Sequence, residues 1–260
     1  MRADLYLCAI GRVSSRKKAQ DLIDAGAVII DGQTVKKSAM PVNEEIPHEV
    51  VIEQVFKYVS RGGMKLEAAL DAFKINVNRK RAVDIGASTG GFTDCLLKRG
   101  ASRVYSVDTG VGQLHESLRT DSRVVCIEKF NARELDESVT EGLCDIAVED
   151  VSFISQTYII PNIAAVLKDG GEFVSLIKPQ FEAGRSALGK GGIVHNAAYR
   201  CLAVTRVLEC AYENGFDCVG LIPSPIEGGD GNKEYLAYFI KRQRLTPKIE
   251  AARIKRITAI

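Results

Sequence analysis

The sequence predicts an α/β protein in which a mostly parallel sheet carries helices on both faces, preceded by a small α+β unit. Three observations support this prediction. Seven apolar segments rich in β-branched residues follow one another between residues 81 and 240, and helical patterns separate most of them. The first segment runs directly into a glycine-rich turn. Residues 1–45 show a different pattern, with two short helices and a hairpin signal.

The small unit begins with two helices. An apolar helix covers Leu5 to Ile10, and Ser14 and Ser15 follow as natural N-caps of the second helix. That helix runs to Ala25, and Gly26 occupies the position of a C-terminal cap. The segment AVIIDGQTV comes next, and its Asp-Gly pair is a strong signal for a two-residue β-hairpin.

The small unit resembles the S4 RNA-binding domain. The similarity lies in R-x-D-L-Y-L near the start and in the segment SSRKKAQDLIDAGAVIIDGQTV. Basic residues at the start of the second helix add to the positive potential of a helix N-terminus, which favours phosphate. The resemblance implies recognition of phosphate and RNA shape more than of base edges. The predicted RNA contacts of this unit are Arg2, Arg12, Arg16, Lys17, Lys18, Lys36 and Lys37.

The larger unit is predicted over residues 62–242, after a linker at 46–61 that contains a short strand pattern. A helix starts at Met64, and a long helix spans Asn196 to Asn214. Only a short loop separates the last two strands, so we expect them to pair antiparallel. Residues 243–260 form a basic tail, either a solvated end or a phosphate-binding segment. The predicted strands are RAVDIGA, SRVYSVDT, VVCIE, CDIAVEDV, GEFVSLIK, DCVGLIP and EYLAYFI, and helices separate the first five.

A glycine-rich turn follows the first strand of the larger unit, in the segment VDIGASTGGFT. In an open α/β sheet, ligands bind at the carboxyl ends of the strands near the change in strand order. Glycines allow the backbone to approach a ligand closely, and Asp84 would help to hold a cationic one. A turn without a ligand is the alternative. The predicted cofactor contacts of this segment are Asp84, Gly86, Ala87, Ser88, Thr89, Gly90, Gly91 and Phe92.

The spacing of the turn is G-x-x-x-G-G, whereas dinucleotide-binding enzymes use G-x-G-x-x-G. No pyrophosphate contact is specified. S-adenosylmethionine has a ribose, an amino-acid head and a sulfonium but no phosphate, so it fits better than NAD. Asp108 ends the next strand and could accept both ribose hydroxyls, or only cap the following helix. Asn131, beside Phe130, could contact the adenine edge, and an ordinary turn is the alternative there.

Ionisable residues are predicted at the same edge of the sheet. Asp150 ends the fourth strand, Lys178 ends the fifth, and Glu234 begins the last. Lys65 opens the helix that follows a Gly-Gly pair. Two lysines and two carboxylates at a ligand-binding edge indicate a catalytic site, and a structural ion-pair network is the alternative.

These residues match a known pattern. The larger unit resembles the FtsJ-type RNA 2′-O-methyltransferases, whose Lys-Asp-Lys-Glu tetrad falls on the four residues above. With its S4-like start, the chain is similar to the TlyA (hemolysin A) family of ribosomal RNA methyltransferases over residues 2–241, through YVSRGGMKL, VDIGASTGGFTDCLL, VEDVSFIS, IKPQFEAG and GNKEYLAYF. The resemblance implies a Rossmann-like class I methyltransferase sheet beside an S4-like RNA-binding domain. One departure is Ala87-Ser88-Thr89, where FtsJ proteins tend to have an alanine-proline version.

The resemblance implies S-adenosylmethionine-dependent 2′-O-methylation of ribose in ribosomal RNA, on cytidine in 16S and/or 23S RNA. Lys178 would accept the hydroxyl proton as a neutral amine, because burial and the like charge of Lys65 both favour the neutral form. Asp150 and Glu234 would orient the two lysines by hydrogen bonding. If they lie too close, they would instead favour the charged form. No metal is expected.

Further RNA contacts are predicted in the larger unit. The glycine-rich loop 182–196 follows Lys178 and could close over the RNA, and a merely flexible surface loop is the alternative. The expected partner is ribosomal RNA or a ribosomal subunit. The predicted contacts are Arg61, Arg185 and Lys190.

Composition excludes several other classes of protein. Hydrophobic residues make up 46% of the 260 and charged residues 26%, which is typical of a folded chain. No apolar run reaches the roughly 18 residues of a membrane-spanning helix, and no cleavable signal pattern begins the chain. The seven cysteines form no CxxC pair and the three histidines share no metal-ligand spacing, so we expect a reducing cytoplasm and no zinc.

Two alternative functions belong to other classes. The first is an RNA-binding protein whose methyltransferase fold is inactive, and the presence of all four tetrad residues argues against it. The second is a pore-forming cytolysin, which the hemolysin name of the family suggests. The lack of apolar spans argues against this second alternative.

Overall fold

A computed structural model of the chain describes residues 1–13, 15–24, 26–52, 57–228, 231–243 and 250–259. The chain divides into two compact units, Met1–Lys57 and Tyr58–Ile260. Among the described residues, no helix has the length and apolar character that crossing a membrane requires. All seven cysteines are free thiols.

The first unit combines two helices with a small antiparallel sheet around one apolar core. Strand β1 lies between β2 and β3 and pairs antiparallel with both. Leu7, Ile23 and Val28 contribute to the core from different elements and are at most 2% exposed. The elements in chain order are α1 (Ala3–Ala9), α2 (Arg16–Asp24), β1 (Val28–Ile30), β2 (Gln33–Thr34) and β3 (Val50–Ile52).

The two helices and the hairpin predicted for this unit are confirmed. Ser15 caps α2, because its Oγ accepts a backbone N–H three residues further on at 3.2 Å. Ser14 and Ala25, the other predicted boundary residues, lie outside the described residues. Asp31 and Gly32 form the hairpin turn with φ of +50° and +76°. A type I′ turn requires this left-handed pair.

The segment 46–61, predicted as a linker, contributes to both units. Its residues Val50–Ile52 form β3, in register with Val28–Ile30 of β1. Near its other end, Tyr58 is 3% exposed and belongs to a core cluster of the second unit. Residues 53–56 lie outside the described residues.

An ion pair between His48 and Asp31 should make the stability of the first unit depend on pH. Nδ1 of His48 lies 2.6 Å from Oδ2 of Asp31. This hydrogen bond raises the pKa of His48 above its usual 6.5 and lowers the pKa of Asp31. A raised histidine pKa stabilises the fold fully below the unfolded value, and the contribution disappears as the pH rises through the folded value.

We therefore expect hydrogen–deuterium exchange of residues 28–50 to show weaker protection as the pH rises above 6.5. The measurement compares protection factors, corrected for the intrinsic exchange rate, between wild type and His48→Gln. The glutamine variant should have lost the pH dependence. Equal pH dependence in both proteins would show that the ion pair contributes nothing.

The second unit is built on a seven-stranded sheet with the strand order β6-β5-β4-β7-β8-β10-β9. Strands β4 to β8 run parallel, and β10 pairs antiparallel with β9, as predicted, and also with β8. The order reverses between β4 and β7, so their carboxyl ends border a crevice where ligands bind in such sheets. The strands are β4 (Arg81–Ile85), β5 (Arg103–Val107), β6 (Val124–Ile127), β7 (Cys144–Glu149), β8 (Leu167–Ile177), β9 (Phe216–Pro223) and β10 (Tyr235–Lys241).

Helices cover both faces of this sheet, and each face has its own apolar cluster. The prediction that helices separate the first five strands is wrong at one place. Between β6 and β7 the described chain forms only a 3₁₀ turn at Ala132–Glu134. Left-handed residues at Lys129, Glu141 and Gly142, with φ of +54°, +50° and +110°, leave only a short stretch between β6 and β7 in which a helix could form. The helices are α3 (Gly62–Ala72), α4 (Gly91–Lys98), α5 (Glu116–Arg119), α6 (Ile160–Val166), α7 (Pro179–Glu182), α8 (Ala197–Glu213) and α9 (Ala251–Thr258).

The described part of the basic tail, residues 243 and 250–259, includes helix α9. Ile254 is 3% exposed and joins the core of the second unit, and α9 contacts α8 and β9. Arg253, Lys255 and Arg256 remain exposed on the same helix. Two further basic residues of the predicted tail, Arg244 and Lys248, lie outside the described residues.

Candidate active site

The glycine-rich turn leaves β4 at the point where the strand order reverses. Gly86 has φ +80°, and a Cβ there would lie 2.7 Å from the carbonyl oxygen of Asp150. Its N–H donates to the carbonyl of Val107 at 2.9 Å. The turn is therefore held between the ends of β5 and β7, the two strands that flank β4. Its conformation is one that a residue other than glycine rarely adopts.

Asp84, predicted to hold the cofactor, lies beneath the turn and is fully buried. Thr93 donates its hydroxyl hydrogen to Oδ2 of Asp84 at 2.6 Å. Burial raises the pKa of Asp84 to about 7, and the nearby carboxylate of Asp150 adds to the effect. Asp84 supports the turn from inside the protein, through the first turn of α4.

A cavity of about 480 Å³ opens at the carboxyl ends of β4, β5 and β7. Its volume lies in the usual range for a site that takes a small molecule. Among the predicted cofactor contacts, it is lined by Gly86, Ser88, Asp108 and Asn131, and Phe130 forms part of its wall. Ala87 lines a small adjoining recess, whereas the remaining predicted contacts do not line the cavity. These others are Asp84, Thr89, Gly90, Gly91 and Phe92.

Two of these glycines are explained by packing instead. A Cβ on Gly90 would collide with the side chain of Leu118, and a Cβ on Gly91 would collide with Ser60. Phe92 is 3% exposed and belongs to a core cluster. The second half of the motif therefore holds α4 against its neighbours.

Asp108 holds its own loop at the rim of the cavity. Its two carboxylate oxygens accept the N–H of Ser88 and the N–H of Gly110, each at 2.7 Å. These two backbone donors fix the orientation of the carboxylate. They also join the glycine-rich turn after β4 to the turn after β5. Since each carboxylate oxygen has further acceptor capacity, a ligand hydroxyl in the cavity can still donate to Asp108.

The four predicted catalytic residues form two ion pairs. Lys178 Nζ lies 2.5 Å from Oδ1 of Asp150, and Lys65 Nζ lies 2.5 Å from Oε2 of Glu234. The lysine side chains are each 11% exposed, Glu234 is 3% exposed, and Asp150 is 24% exposed. Asp150 is thus the member of the tetrad most open to the cavity that it lines.

The sheet topology brings these residues to one edge. Asp150 follows β7 and Lys178 follows the adjacent parallel strand β8. Tyr235 pairs with Ile177, so Glu234 precedes β10 beside the position of Lys178. The N-terminus of α3, which carries Lys65, also lies here, because a Cβ on Gly62 would be 3.8 Å from Oδ2 of Asp150.

Lys178 is bonded to the cavity wall itself. Its ammonium donates to the hydroxyl of Ser152 at 2.8 Å, and both Ser152 and Asp150 line the cavity. The amine therefore lies at the border of the space that a small ligand can occupy. This is the same rim of the sheet as the glycine-rich turn.

Several residues that line the cavity were not predicted from the sequence. Phe153 is 92% exposed with φ +65°, and its ring lies at the cavity next to that of Phe181, with centroids 5.2 Å apart. Phe153 could have been found from its place three residues after Asp150. No feature of the sequence marks Gln113 as a cavity residue. The cavity-lining residues that were not predicted include Thr109, Gln113, Val151, Ser152, Phe153 and Ile154.

A buried carboxyl group also lies beside the tetrad. Glu149 is fully buried at the end of β7. Burial raises its pKa to about 8, and the nearby Glu182 adds to the effect. Glu149 is therefore mainly neutral at pH 7, so the ionic character of this edge comes from the tetrad.

The predicted RNA contacts of the first unit are exposed, and two of them are held by the same carboxylate. The buried carboxylate of Asp4 accepts from Arg2 at 3.0 Å and from Arg16 at 2.9 Å. These arginine side chains stay 44% and 52% exposed. The remaining contacts, also on the surface, are Arg12, Lys17, Lys18, Lys36 and Lys37.

The predicted RNA contacts of the second unit differ in exposure. Arg61 is half-buried next to the first turn of α3, where it occupies the N-cap position. Arg185 and Lys190 are exposed on the loop after Lys178. Among the residues that the structure describes, no group of histidine, cysteine and carboxylate side chains could hold a metal ion.

Comparison with known proteins agrees with this geometry. The model of the FtsJ-like methyltransferase family matches residues 58–241, and that of the S4 domain matches residues 1–45. Hemolysin A of Brachyspira hyodysenteriae is 47% identical over 92% of this chain and 100% of its own length. The 16S/23S rRNA (cytidine-2′-O)-methyltransferase TlyA of Mycobacterium tuberculosis is 43% identical over 91% of this chain and 88% of its own.

A solved structure from Streptococcus thermophilus, described as a candidate hemolysin, has a TM-score of 0.80 at 40% identity and covers 100% of this chain and 94% of that one. The fold and the site therefore define a methyltransferase that uses S-adenosylmethionine. The chain belongs to the FtsJ-like methyltransferase family, and it carries an S4 domain before the methyltransferase domain.

Proposed function

We propose that the protein methylates a ribose 2′-hydroxyl of ribosomal RNA, on cytidine in 16S and/or 23S RNA. The observation that carries this proposal is the Lys178 amine, bonded to two residues of the cofactor cavity. The name of the Mycobacterium tuberculosis relative supplies the nucleotide and the RNA class. The expected site of action is the cytoplasm, on free RNA or on a ribosomal subunit.

The residues around the cavity fit S-adenosylmethionine. Because Gly86 has no side chain, the turn can pass close to the backbone of Asp150 and leave the cavity open to the ligand. The carboxylate of Asp108 would accept ribose hydroxyls, and Asn131 with Phe130 would contact the adenine. The cofactor supplies a methyl group already activated on a positively charged sulfur. The protein therefore needs to align the acceptor oxygen and remove its proton.

Proton removal is assigned to Lys178 and Asp150. A ribose hydroxyl is a weak nucleophile until its proton begins to leave, so a positioned acceptor accelerates the reaction. The amine accepts that proton only after it has given up one of its own. Asp150, 2.5 Å away and 24% exposed, would hold and orient the amine, and the proton that the ammonium gives up would pass to water.

The second ion pair has a positioning role. Lys65 and Glu234 neutralise each other in a nearly buried environment, where an unpaired charge would be costly. The pair joins the start of α3 to the start of β10, on either side of the Lys178 position. It fixes the edge at which the RNA must present its hydroxyl.

Phe153 is expected to support the nucleotide that enters the site. An exposed ring at the mouth of the cavity offers a stacking face, and the loss of a base–aromatic contact costs about 1–3 kcal/mol. Phe153→Ala should therefore raise the KM for RNA about tenfold or more, a larger change than in the affinity for S-adenosylmethionine, whose cavity is lined by many other residues. Steady-state kinetics and calorimetry measure the two quantities. An unchanged KM would remove Phe153 from the site.

Incorporation of labelled methyl groups into ribosomal RNA tests the proposal against an inactive fold. Purified protein, labelled cofactor and ribosomal subunits or extracted RNA are sufficient, and absence of incorporation into all of them would refute the proposal. The hemolysin name of relatives is tested separately, by leakage of dye from phospholipid vesicles. We expect no leakage above that of a protein-free sample.

A further inference from the structure

A buried asparagine holds the loop that follows Lys178. Asn232 is 2% exposed and lies two residues before Glu234. Its Oδ1 accepts the N–H of Val194 at 3.0 Å, and its Nδ2 donates to the carbonyl of Gly192 at 3.1 Å. One side chain thus satisfies one donor and one acceptor of a loop that is 38 residues distant in the chain.

A second buried residue holds the same part of the loop. Arg200 of α8, 6% exposed, donates through Nη1 to the carbonyls of Val194 at 3.3 Å and His195 at 2.7 Å. Its Nε donates to the hydroxyl of Tyr235 at 3.1 Å, next to Glu234. Loop 182–196 and the segment that carries Glu234 therefore share two buried polar anchors.

The chain before Glu234 is also tightly packed. The carbonyl of Asn232 accepts the N–H of Gly228 at 2.9 Å. A Cβ on Gly228 would lie 2.6 Å from Oε1 of Glu234. A displacement of Asn232 would therefore reach the carboxylate that pairs with Lys65. The exposed Lys190 lies in the same loop, two residues before the Gly192 carbonyl.

We propose that Asn232 is a positioning residue that fixes the loop after Lys178 as a preformed RNA-contacting wall and couples it to Glu234. The inference rests on the proposed function, because the wall has a purpose only if RNA enters at this edge. Asparagine suits the task, since its amide presents one acceptor and one donor to the two backbone groups. Neither alanine nor ionised aspartate can do both.

The test uses the full chain and three variants. Asn232→Ala should raise the KM for ribosomal RNA about tenfold and lower kcat, an effect of the size that loss of two buried hydrogen bonds produces. The Kd of S-adenosylmethionine should stay within about twofold, because no residue of this loop lines the cofactor cavity. Asn232→Asp keeps the shape but loses the donor, so it should behave like alanine. If the side chain only filled space, aspartate would match wild type.

The matched control is Asn214→Ala, at the far end of α8. Its Nδ2 also donates to a backbone carbonyl, that of Cys210 at 2.8 Å, but at the end of the 17-residue helix α8 that lies away from the loop. This variant should lower the melting temperature without changing KM. Wild-type kinetics in both Asn232 variants, or equal kinetic losses in the Asn214 control, would overturn the proposal.

Hydrogen exchange separates this proposal from the proposed function. The N–H of Val194, which Asn232 protects, should exchange faster in Asn232→Ala, whether or not the protein methylates RNA. Unchanged exchange there would overturn the positioning role. Faster exchange together with an inactive wild type would refute the proposed function and leave the tether in place. The coupling between the loop and Glu234 is then measured by the affinity of the Asn232 variants for RNA.

Discussion

Replacing Lys178 by alanine is expected to lower kcat for methyl transfer by about 10²–10⁴-fold, the usual contribution of a positioned acid–base group. The amine is the group that the structure places against the cofactor cavity, through Asp150 at 2.5 Å and Ser152 at 2.8 Å. Removal of the lysine takes away the group that we propose as the acceptor for the hydroxyl proton. It also leaves the carboxylate of Asp150 without its cation.

Binding of S-adenosylmethionine should change much less in this variant, because Lys178 does not line the cavity. Single-turnover kinetics measure the chemical step, and calorimetry measures the cofactor affinity. The matched control is Lys168→Ala on the same strand, where a lysine that is 49% exposed pairs with Asp145 at the surface. Near-normal turnover in Lys178→Ala, or an equal loss in Lys168→Ala, would refute the assigned role.

Gly86→Ala is expected to weaken cofactor binding by about 10–100-fold, or about 1.4–2.8 kcal/mol, because the wall of the cavity must move to make space for the new Cβ. The new methyl group would lie 2.7 Å from the carbonyl oxygen of Asp150, which is backbone and cannot rotate away. The turn or the end of β7 must therefore move. Both of them border the cavity.

Gly170→Ala provides the control for backbone strain alone. Gly170 has φ +75°, almost the value of Gly86, but a Cβ there meets nothing within 4 Å. The variant should lower the melting temperature and leave the Kd of S-adenosylmethionine unchanged. Equal Kd values for Gly86→Ala and wild type would show that the close approach to Asp150 has no role in binding.

Sequence reasoning was most successful where the signal is local or follows from strand order. The turn after β4, the acid after β5 and three tetrad residues (Asp150, Lys178 and Glu234) all lie next to strand ends, and parallel strands bring their carboxyl ends to one edge. Those three could therefore be grouped without coordinates, whereas Lys65 lies on α3 and joined the group through the family resemblance. The division of the tetrad into a Lys178–Asp150 pair and a Lys65–Glu234 pair could not, because it depends on side-chain geometry.

Long-range packing explains what the sequence left open. Asp84 has the appearance of a ligand contact in the motif, yet it is fully buried and bonded to Thr93. Gly90 and Gly91 are needed for contacts with Leu118 and Ser60, which lie far away in the sequence. Pairs of this kind become visible only when helices and strands are packed together. Single-sequence patterns record the glycine but not its neighbour.

The basic tail is another feature that depends on packing between distant parts of the chain. Its charge pattern predicts either a solvated end or a phosphate-binding segment, whereas Ile254 anchors α9 in the core. One isoleucine among basic residues is a weak periodic signal. The role of Asn232 is likewise invisible in sequence, since its partners lie 38 and 40 residues away.

The most direct test of the central claim is the chemical position of the transferred methyl group. Ribosomal RNA labelled by the purified protein is hydrolysed in alkali, which cannot cleave next to a 2′-O-methylated ribose because the attacking hydroxyl is blocked. We predict that the label appears in an alkali-resistant dinucleotide, and that mass spectrometry places it on the ribose of cytidine. Label in mononucleotides, on a base, would contradict the assignment of Lys178 and Asp150 to a ribose hydroxyl.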